Sequence, residues 1–243
     1  MQSFYYDLHI HTGLSPCADN DMTPNDIVGM AILGGLDVIA VTDHNTIGNA
    51  AAVIKAAAVA EKQHGKSLLV LPGIEVSTAE EVHVICLFPN IDEAEAFDAN
   101  LSSFYSLIPN REDIFGSQII FDENDKIINN VERMLIAPTG ISFDNLYDLT
   151  IEHNGVFIPA HIDRDSFSVI SNLGFLPPHL KINTVEISQK GAEKGIGKSL
   201  VKNNSDINTI ISSDAHQLWA INDKKHFFSL PELSADVVID FLR

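Results

Sequence analysis

The chain has 243 residues, enough for one α/β barrel domain or two small domains, and no apolar run approaches the roughly 20 residues that span a bilayer. Its two cysteines suggest no disulfide framework and no leader segment precedes the first predicted strand, so we expect a cytoplasmic protein with no membrane partner. The net charge of −18 makes a long nucleic acid an unlikely partner, because an acidic surface repels the phosphate backbone.

A His-x-His pair closes the first predicted strand, residues 4–11, which is rich in aromatic and β-branched residues. Side chains alternate along a strand, so His9 and His11 point to one face while Ile10 points to the other. Two imidazoles on one face can bind one metal ion. A single His-x-His is common, so the pair needs support from the rest of the chain.

Predicted helices alternate with predicted strands along the chain. The first has Thr23 as its N-cap and Pro24 in its first turn, and the second ends before Gly65. The helical segments are residues 24–33, 50–64, 92–105, 143–153 and 235–242. This alternation predicts one domain over residues 1–243, built on a mostly parallel sheet or barrel.

Residues 106–138 interrupt this alternation, because they contain no candidate ligand at a strand end. Two short strand-like runs, 118–121 and 126–131, flank the polar sequence Asp-Glu-Asn-Asp, a pattern typical of a β-hairpin. We therefore interpret residues 106–138 as a hairpin-containing insertion between two barrel units.

Further apolar runs carry His, Asp or Glu at or near their ends, as the first strand does. The C-terminal ends of parallel strands share one face, which is where α/β folds build their sites. Imidazole and carboxylate together suit Zn, Mn or Fe better than Ca. The sequence therefore predicts one metal site formed by His9, His11, His44, Glu75, His83, His161, Asp214 and His216.

These motifs in this order resemble those of the PHP family, named for polymerases and histidinol phosphatases: His9-x-His11, Thr42-Asp43-His44, Pro72-Gly73-x-Glu75, His83, Ala160-His161 and Ser213-Asp214-Ala-His216. The match runs from residue 5 to about 88 and from about 156 to 216. The resemblance implies a distorted (β/α)7 barrel. It also implies two or three divalent transition-metal ions, and phosphoester hydrolysis by a metal-activated water.

The resemblance also implies how the ligands are shared. One ion would be held by His9, His11, Glu75 and Asp214, with Glu75 bridging to a second ion at His83 and His161. A third ion would bind His44, His216 and an acid from the loop after the first strand. That loop is about three residues longer than the family pattern, and we assign Asp19 as this acid, with Asp21 as the alternative. We expect Asp43 to orient a ligand, with direct metal binding as the alternative, and Cys17 to be an inert thiol, with a metal contact as the alternative.

Two basic residues are candidates for binding the phosphate of a substrate. Arg164 follows a predicted ligand, and its guanidinium could bind phosphate oxygens in bidentate fashion, or else pair with Asp163 or Asp165. Lys190 begins the loop after another predicted strand.

The acidic balance favours a small phosphomonoester, such as a nucleotide or histidinol phosphate. Two alternatives stay open: a metal hydrolase of the amidohydrolase type, and a non-catalytic metal-binding regulatory module. The sequence does not predict an oligomeric state.

Overall fold

The computed structural model of the protein describes residues 1–196 and 207–243. The fold is mixed α/β, as predicted. The strands of the described part are β1 (Gln2–Ile10), β2 (Val38–Val41), β3 (Leu69–Ser77), β4 (His83–Leu87), β5 (Ile119–Phe121), β6 (Ile127–Asn130), β7 (Val156–Pro159), β8 (Thr184–Glu186), β9 (Asn208–Ile210) and β10 (Phe227–Leu230). Its helices are α1 (Pro24–Gly34), α2 (Ala50–His64), α3 (Ile91–Leu101), α4 (Glu112–Phe115), α5 (Phe143–Glu152), α6 (Val169–Leu173), α7 (Gln189–Glu193) and α8 (Ala235–Leu242).

The predicted helices form where capping chemistry allows. Thr23 accepts a hydrogen bond from the Asp26 amide at the start of α1, and α2 ends at Gly65, whose φ of 68° is left-handed. The third helix is shorter than predicted, since α3 ends at Leu101 and a 3-10 turn follows. There the hydroxyls of Ser102 and Ser103 donate to backbone carbonyls of the preceding turn, which competes with a regular α-helix.

A six-stranded sheet has the order β10–β1–β2–β3–β4–β7. β1, β2 and β3 are parallel, but β10–β1, β3–β4 and β4–β7 are antiparallel. The expectation of a mostly parallel sheet is therefore wrong for this sheet. Only residues 78–82 join β3 to β4, too few for a crossover helix, so the chain must turn back on itself.

Both faces of this sheet are covered. On β2, Val38 and Ala40 join a buried cluster that includes residues of β10 and α8, whereas Ile39 and Val41 pack against α1 and α2. Burying each large aliphatic side chain contributes about 1.5–3 kcal/mol. The polar residues at one edge of the sheet therefore sit on a tightly packed base.

The predicted hairpin within residues 106–138 is present as β5 and β6, which pair antiparallel. Asn49 ties it to the first loop of the fold: its amide donates to Thr12 Oγ1 and to the Ile119 carbonyl, and its oxygen accepts from the Phe121 amide. That the whole chain is one domain, and that residues 106–138 are an insertion in it, stay predictions. Within residues 1–196 and 207–243, no helix has both the length and the apolar character needed to cross a membrane.

Candidate metal centre

Glu75 is buried at the middle of a cluster of histidines. Five imidazole nitrogens surround its two oxygens: His83 Nδ1 at 2.9 Å, His161 Nε2 at 3.2 Å and His9 Nε2 at 3.4 Å from Oε1, and His44 Nδ1 at 2.9 Å and His11 Nε2 at 3.4 Å from Oε2. The structure thus brings these six predicted site residues together around one carboxylate.

Strand direction explains how His83 reaches this cluster. It is the first residue of β4 rather than the last, contrary to the expectation that the ligands sit at C-terminal strand ends. Because β4 is antiparallel to β3, its beginning pairs with the end of β3, where Ser77 lies opposite His83. Glu75 likewise lies inside β3, two residues before that end.

Asp214 joins the cluster beside His9 and His11. Its Oδ1 lies 3.2 Å from Nε2 of both His9 and His11, and 3.6 Å from His216 Nδ1, while its Oδ2 pairs with Arg164 at 2.7 Å. Asp214 has a φ of 52° and His161 a φ of 29°, conformations that L-residues rarely adopt. Such strain persists only where the surrounding structure enforces it, and it is common at functional sites.

A second layer of side chains orients these groups. Glu186 accepts from His9 Nδ1 at 3.0 Å and from the His161 amide at 3.0 Å. A carboxylate on the outer ring nitrogen makes that nitrogen the N–H donor and leaves the inner nitrogen free to bind a metal ion. Sequence reasoning missed Glu186, although the signal was present: a carboxylate within the predicted strand that precedes Lys190.

Asp43 has the orienting position that was expected of it. Its buried carboxylate accepts hydrogen bonds from the Thr12 amide and hydroxyl and from Ser15 Oγ, at 2.7–2.8 Å. Ser15 Oγ in turn lies 2.9 Å from His11 Nδ1. The hydroxyl thereby fixes the His11 ring with Nε2 turned toward Glu75 and Asp214.

The electrostatics of the cluster shift the pKa values of its carboxylate and its imidazoles in different directions. Burial opposes ionisation of Glu75, but the surrounding imidazoles, led by His83, hold the pKa of this carboxyl well below its usual range. Burial opposes a charge on His9 as well, yet the neighbouring carboxylates, led by Glu186, hold its pKa well above the usual value. Burial and adjacent imidazoles hold the pKa of His11 well below its usual value. An ionised Glu75 beside a neutral His11 is the donor state that metal ions require, whereas His9 would release a proton on binding an ion.

Unsatisfied polar atoms show that divalent ions fit here. Glu75 Oε2 is buried and accepts no hydrogen bond of normal geometry among the described residues, although His44 Nδ1 lies 2.9 Å from it. The Nε2 atoms of His9 and His11 lie 3.1 Å apart, so at least one of them points a lone pair into the cluster. A buried polar group without a partner costs about 1–3 kcal/mol, and cations at the centre of the cluster would relieve that cost for the inward-facing atoms.

Three groups of ligand atoms each lie within 4.8 Å of one another: His9, His11 and Asp214; His44, Glu75 and His83; and His11, His44 and His216. Asp19 and Asp21 are exposed and belong to none of these groups, so the choice between them stays a prediction. Cys17, in the same loop, is near enough to His44 and His216 that these imidazoles outweigh burial and lower the pKa of its thiol to about 7.

A cleft of about 630 Å³ adjoins the cluster at Asp214 and His161. Its wall carries three cations, Arg164, Lys190 and Lys194, and four carboxylates, Asp163, Asp165, Glu186 and Asp214. Arg164 pairs with Asp214 rather than with Asp163 or Asp165, the two partners anticipated for it, and its side chain is 43% exposed. The cleft therefore combines positive charge with access from solvent beside the cluster.

Residues 7–170 match the family model described as the PHP domain. The chain belongs to the PHP family. This confirms the resemblance drawn from the motifs, and with it the expectation of a metal-dependent hydrolase at the level of family.

The relatives and solved structures that resemble this chain share its fold over different lengths. A 5'-3' exoribonuclease Rnm of Salmonella typhimurium is 38% identical over 92 residues, which are 37% of this chain and 28% of the relative. That match spans less than a third of the relative's length. The lesion-specific endonuclease EndoQ of Pyrococcus furiosus has a TM-score of 0.68 at 17% identity, covering 99% of this chain and 56% of that one. An endonuclease Q bound to a 27-mer duplex has a TM-score of 0.62 at 15% identity, covering 98% and 56%.

These relatives correct one expectation. The net charge suggested that a long nucleic acid is an unlikely partner, but the similar proteins include an exoribonuclease and endonucleases, one of them bound to a 27-mer duplex substrate. A net charge sums the whole surface and does not report the field at one cleft. Here three cations, Arg164, Lys190 and Lys194, line the cleft beside the cluster, among carboxylates that bound divalent ions would partly neutralise.

Proposed function

We propose that this protein is a metal-dependent hydrolase that cleaves phosphodiester bonds of a nucleic acid strand. The observation that carries the proposal is the Glu75-centred histidine cluster opening into a cleft with three cations. The class of substrate is supported by an exoribonuclease and by an endonuclease bound to a 27-mer duplex, both similar to this chain. We propose further that the fold is a distorted (β/α)7 barrel, that residues 1–243 act as one domain, and that the protein works in the cytoplasm.

Metal ions would be held as the family resemblance implies. We assign His9, His11, Glu75 and Asp214 to one ion, and Glu75, His83 and His161 to a second. A third would take His44, His216 and a residue of the loop after β1. Imidazole and carboxylate donors suit Zn, Mn or Fe. Divalent ions in this place would supply an activated water and neutralise charge on a phosphoryl group.

The remaining roles belong to side chains of the cleft. We propose that Arg164 binds the phosphate being cleaved, a role supported by its position in the cleft wall, 2.7 Å from Asp214. A guanidinium offers a planar pair of N–H donors that matches two phosphate oxygens. Lys190 and Lys194, four residues apart and both lining the cleft, supply positive charge for neighbouring phosphates of the strand.

The proposal is tested by following single-stranded RNA and DNA oligonucleotides labelled at either end, with protein purified without chelator. We expect strand cleavage by the wild type and none by Glu75→Gln. Release of phosphate from mononucleotides without cleavage of any strand would overturn the proposal in favour of a phosphomonoesterase. Hydrolysis of amide substrates alone would favour the amidohydrolase alternative. Metal binding without hydrolysis of any of these substrates would favour a non-catalytic module.

A further inference from the structure

An exposed aromatic ring stands beside the cluster. Phe167, in the loop between β7 and α6, stacks on the His83 ring with centroids 4.8 Å apart and planes 25° apart. His83 is itself one of the imidazoles that contact Glu75. Yet Phe167 is 45% exposed, so a large part of its apolar surface faces solvent at the site. An apolar ring that is only partly covered gives up much of the stabilisation that burial provides.

The backbone of Phe167 is held in an unfavourable conformation. Its φ is 55°, in the left-handed region that costs an L-residue about 1–2 kcal/mol. Neighbouring hydrogen bonds enforce it: the His83 amide donates to the Phe167 carbonyl at 2.9 Å, and Ser168 Oγ donates to the Arg164 carbonyl at 2.7 Å. The fold thus fixes this ring beside His83.

The loop that carries the ring also forms the wall of the cleft. Arg164, Asp165 and Ser166, the three residues directly before Phe167, all line it. The ring of Phe167 stands beside His83, three residues along the chain from Arg164, the cation proposed to bind a phosphate. Proteins that bind single strands combine aromatic rings that stack on bases with cations that follow the backbone.

We infer that Phe167 is a stacking platform for a nucleobase of the strand, next to the phosphate bound at Arg164. This inference rests on the proposed function and deepens it, since it defines a subsite for a base. The ring can stack on any base, because every base presents a π-face. The subsite would therefore select for the presence of a base and would not distinguish one base from another.

A binding experiment tests this independently of hydrolysis. Phosphorothioate-linked oligonucleotides carry 2-aminopurine at the 5' or the 3' end, and its fluorescence falls when it stacks. We expect quenching by the wild-type protein, with its metals, for one of the two ends. Phe167→Ala and Phe167→Leu should abolish the quenching and raise Kd by about 5- to 150-fold, the range for loss of one base–aromatic stack. Phe167→Trp should retain both signals.

Two controls separate stacking from support of His83. Phe175→Ala removes an exposed ring, 59% accessible, that has no ring contact among the described residues, and should match the wild type. A strand with an abasic residue at the quenched end should bind wild type and Phe167→Leu within threefold of each other. Leucine keeps an apolar cover over His83, so metal content measured by mass spectrometry should also stay unchanged.

Persistent quenching in Phe167→Leu would overturn the inference, as would an equal loss of affinity for the abasic strand. If the wild type cleaves strands without quenching at either end, the base subsite fails while the proposed function stands. If it binds and quenches without cleaving, the proposed function fails while the subsite stands.

Discussion

Replacing Glu75 by glutamine is the most direct test of how the cluster works. The substitution preserves size and removes one buried charge. In the wild type, the two carboxylate oxygens of Glu75 face five imidazole nitrogens at 2.9–3.4 Å. A glutamine has one neutral oxygen for this role, and its NH2 group would point a donor at imidazoles already turned inward. We therefore expect the cluster to lose its central anion without losing its fold.

The size of the effect follows from those distances. A unit charge about 3 Å from another contributes about 5 kcal/mol at an effective dielectric constant of about 20. Each 1.4 kcal/mol corresponds to a factor of ten, so Glu75→Gln should lower kcat/KM by about 1,000-fold or more. Glu186→Gln changes a residue that contacts His9 only from outside, and such partners are typically worth about 10- to 100-fold. Glu61→Gln, exposed on α2, should have no effect.

The assay measures cleavage of a labelled strand together with metal content per chain for all three variants. Circular dichroism and thermal unfolding verify that each variant is folded. We expect a graded loss of kcat/KM that is largest in Glu75→Gln, intermediate in Glu186→Gln and absent in Glu61→Gln. Full activity of Glu75→Gln at unchanged metal content would refute the central role of this carboxylate.

Three further outcomes are expected. Arg164→Ala should lower kcat/KM by about 30- to 1,000-fold at equal metal loading, with partial recovery in Arg164→Lys, whereas a change within threefold would leave phosphate binding to other groups. Metal content per chain should identify the metal ligand of the first loop. Asp19→Asn should lower the metal content if the family pattern holds, whereas a lower metal content in Cys17→Ser alone would assign the ligand to the thiol. In metal-free protein, the imidazoles of His216 and His44 outweigh the effect of burial and lower the pKa of the Cys17 thiol to about 7. The rate at which Cys17 is alkylated should therefore rise with pH up to that value and then level off. Burial raises the pKa of Cys86 to about 12, and it should stay unmodified in the same mass-spectrometric assay; a Cys17 rate still climbing through pH 9 would contradict the shift.

Much of the site could be predicted because its residues lie next to strands that the sequence marks clearly. The alternation of His9 and His11 on β1 follows from strand geometry alone, and the structure places both beside Glu75. The N-cap of α1 and the glycine that ends α2 are equally local signals, and both are present in the structure. Local chemistry therefore predicts the start of α1 and the end of α2 with little help from tertiary contacts.

What could not be predicted depends on contacts between distant parts of the chain. Strand direction is one case, because the apolar run around His83 looks the same in a parallel and an antiparallel sheet. The partner of Arg164 is another: the sequence offers adjacent carboxylates, but the fold delivers Asp214 from 50 residues away. Glu186 was missed for the same reason, since its role appears only once it meets His9.

The hairpin of β5 and β6 and the first loop of the fold are joined through Asn49, which bonds Thr12 on one side and the Ile119 and Phe121 backbones on the other. Thr12 Oγ1 in turn donates to Asp43, which also accepts from Ser15, and Ser15 contacts His11. Coupling between two sites is reciprocal. If metal binding orders the hairpin through these hydrogen bonds, ordering of the hairpin must strengthen metal binding by the same free energy. Hydrogen exchange at amides of the hairpin should therefore slow as ions bind. A substitution at Asn49, which is not one of the proposed metal ligands, should change the affinity for those ions.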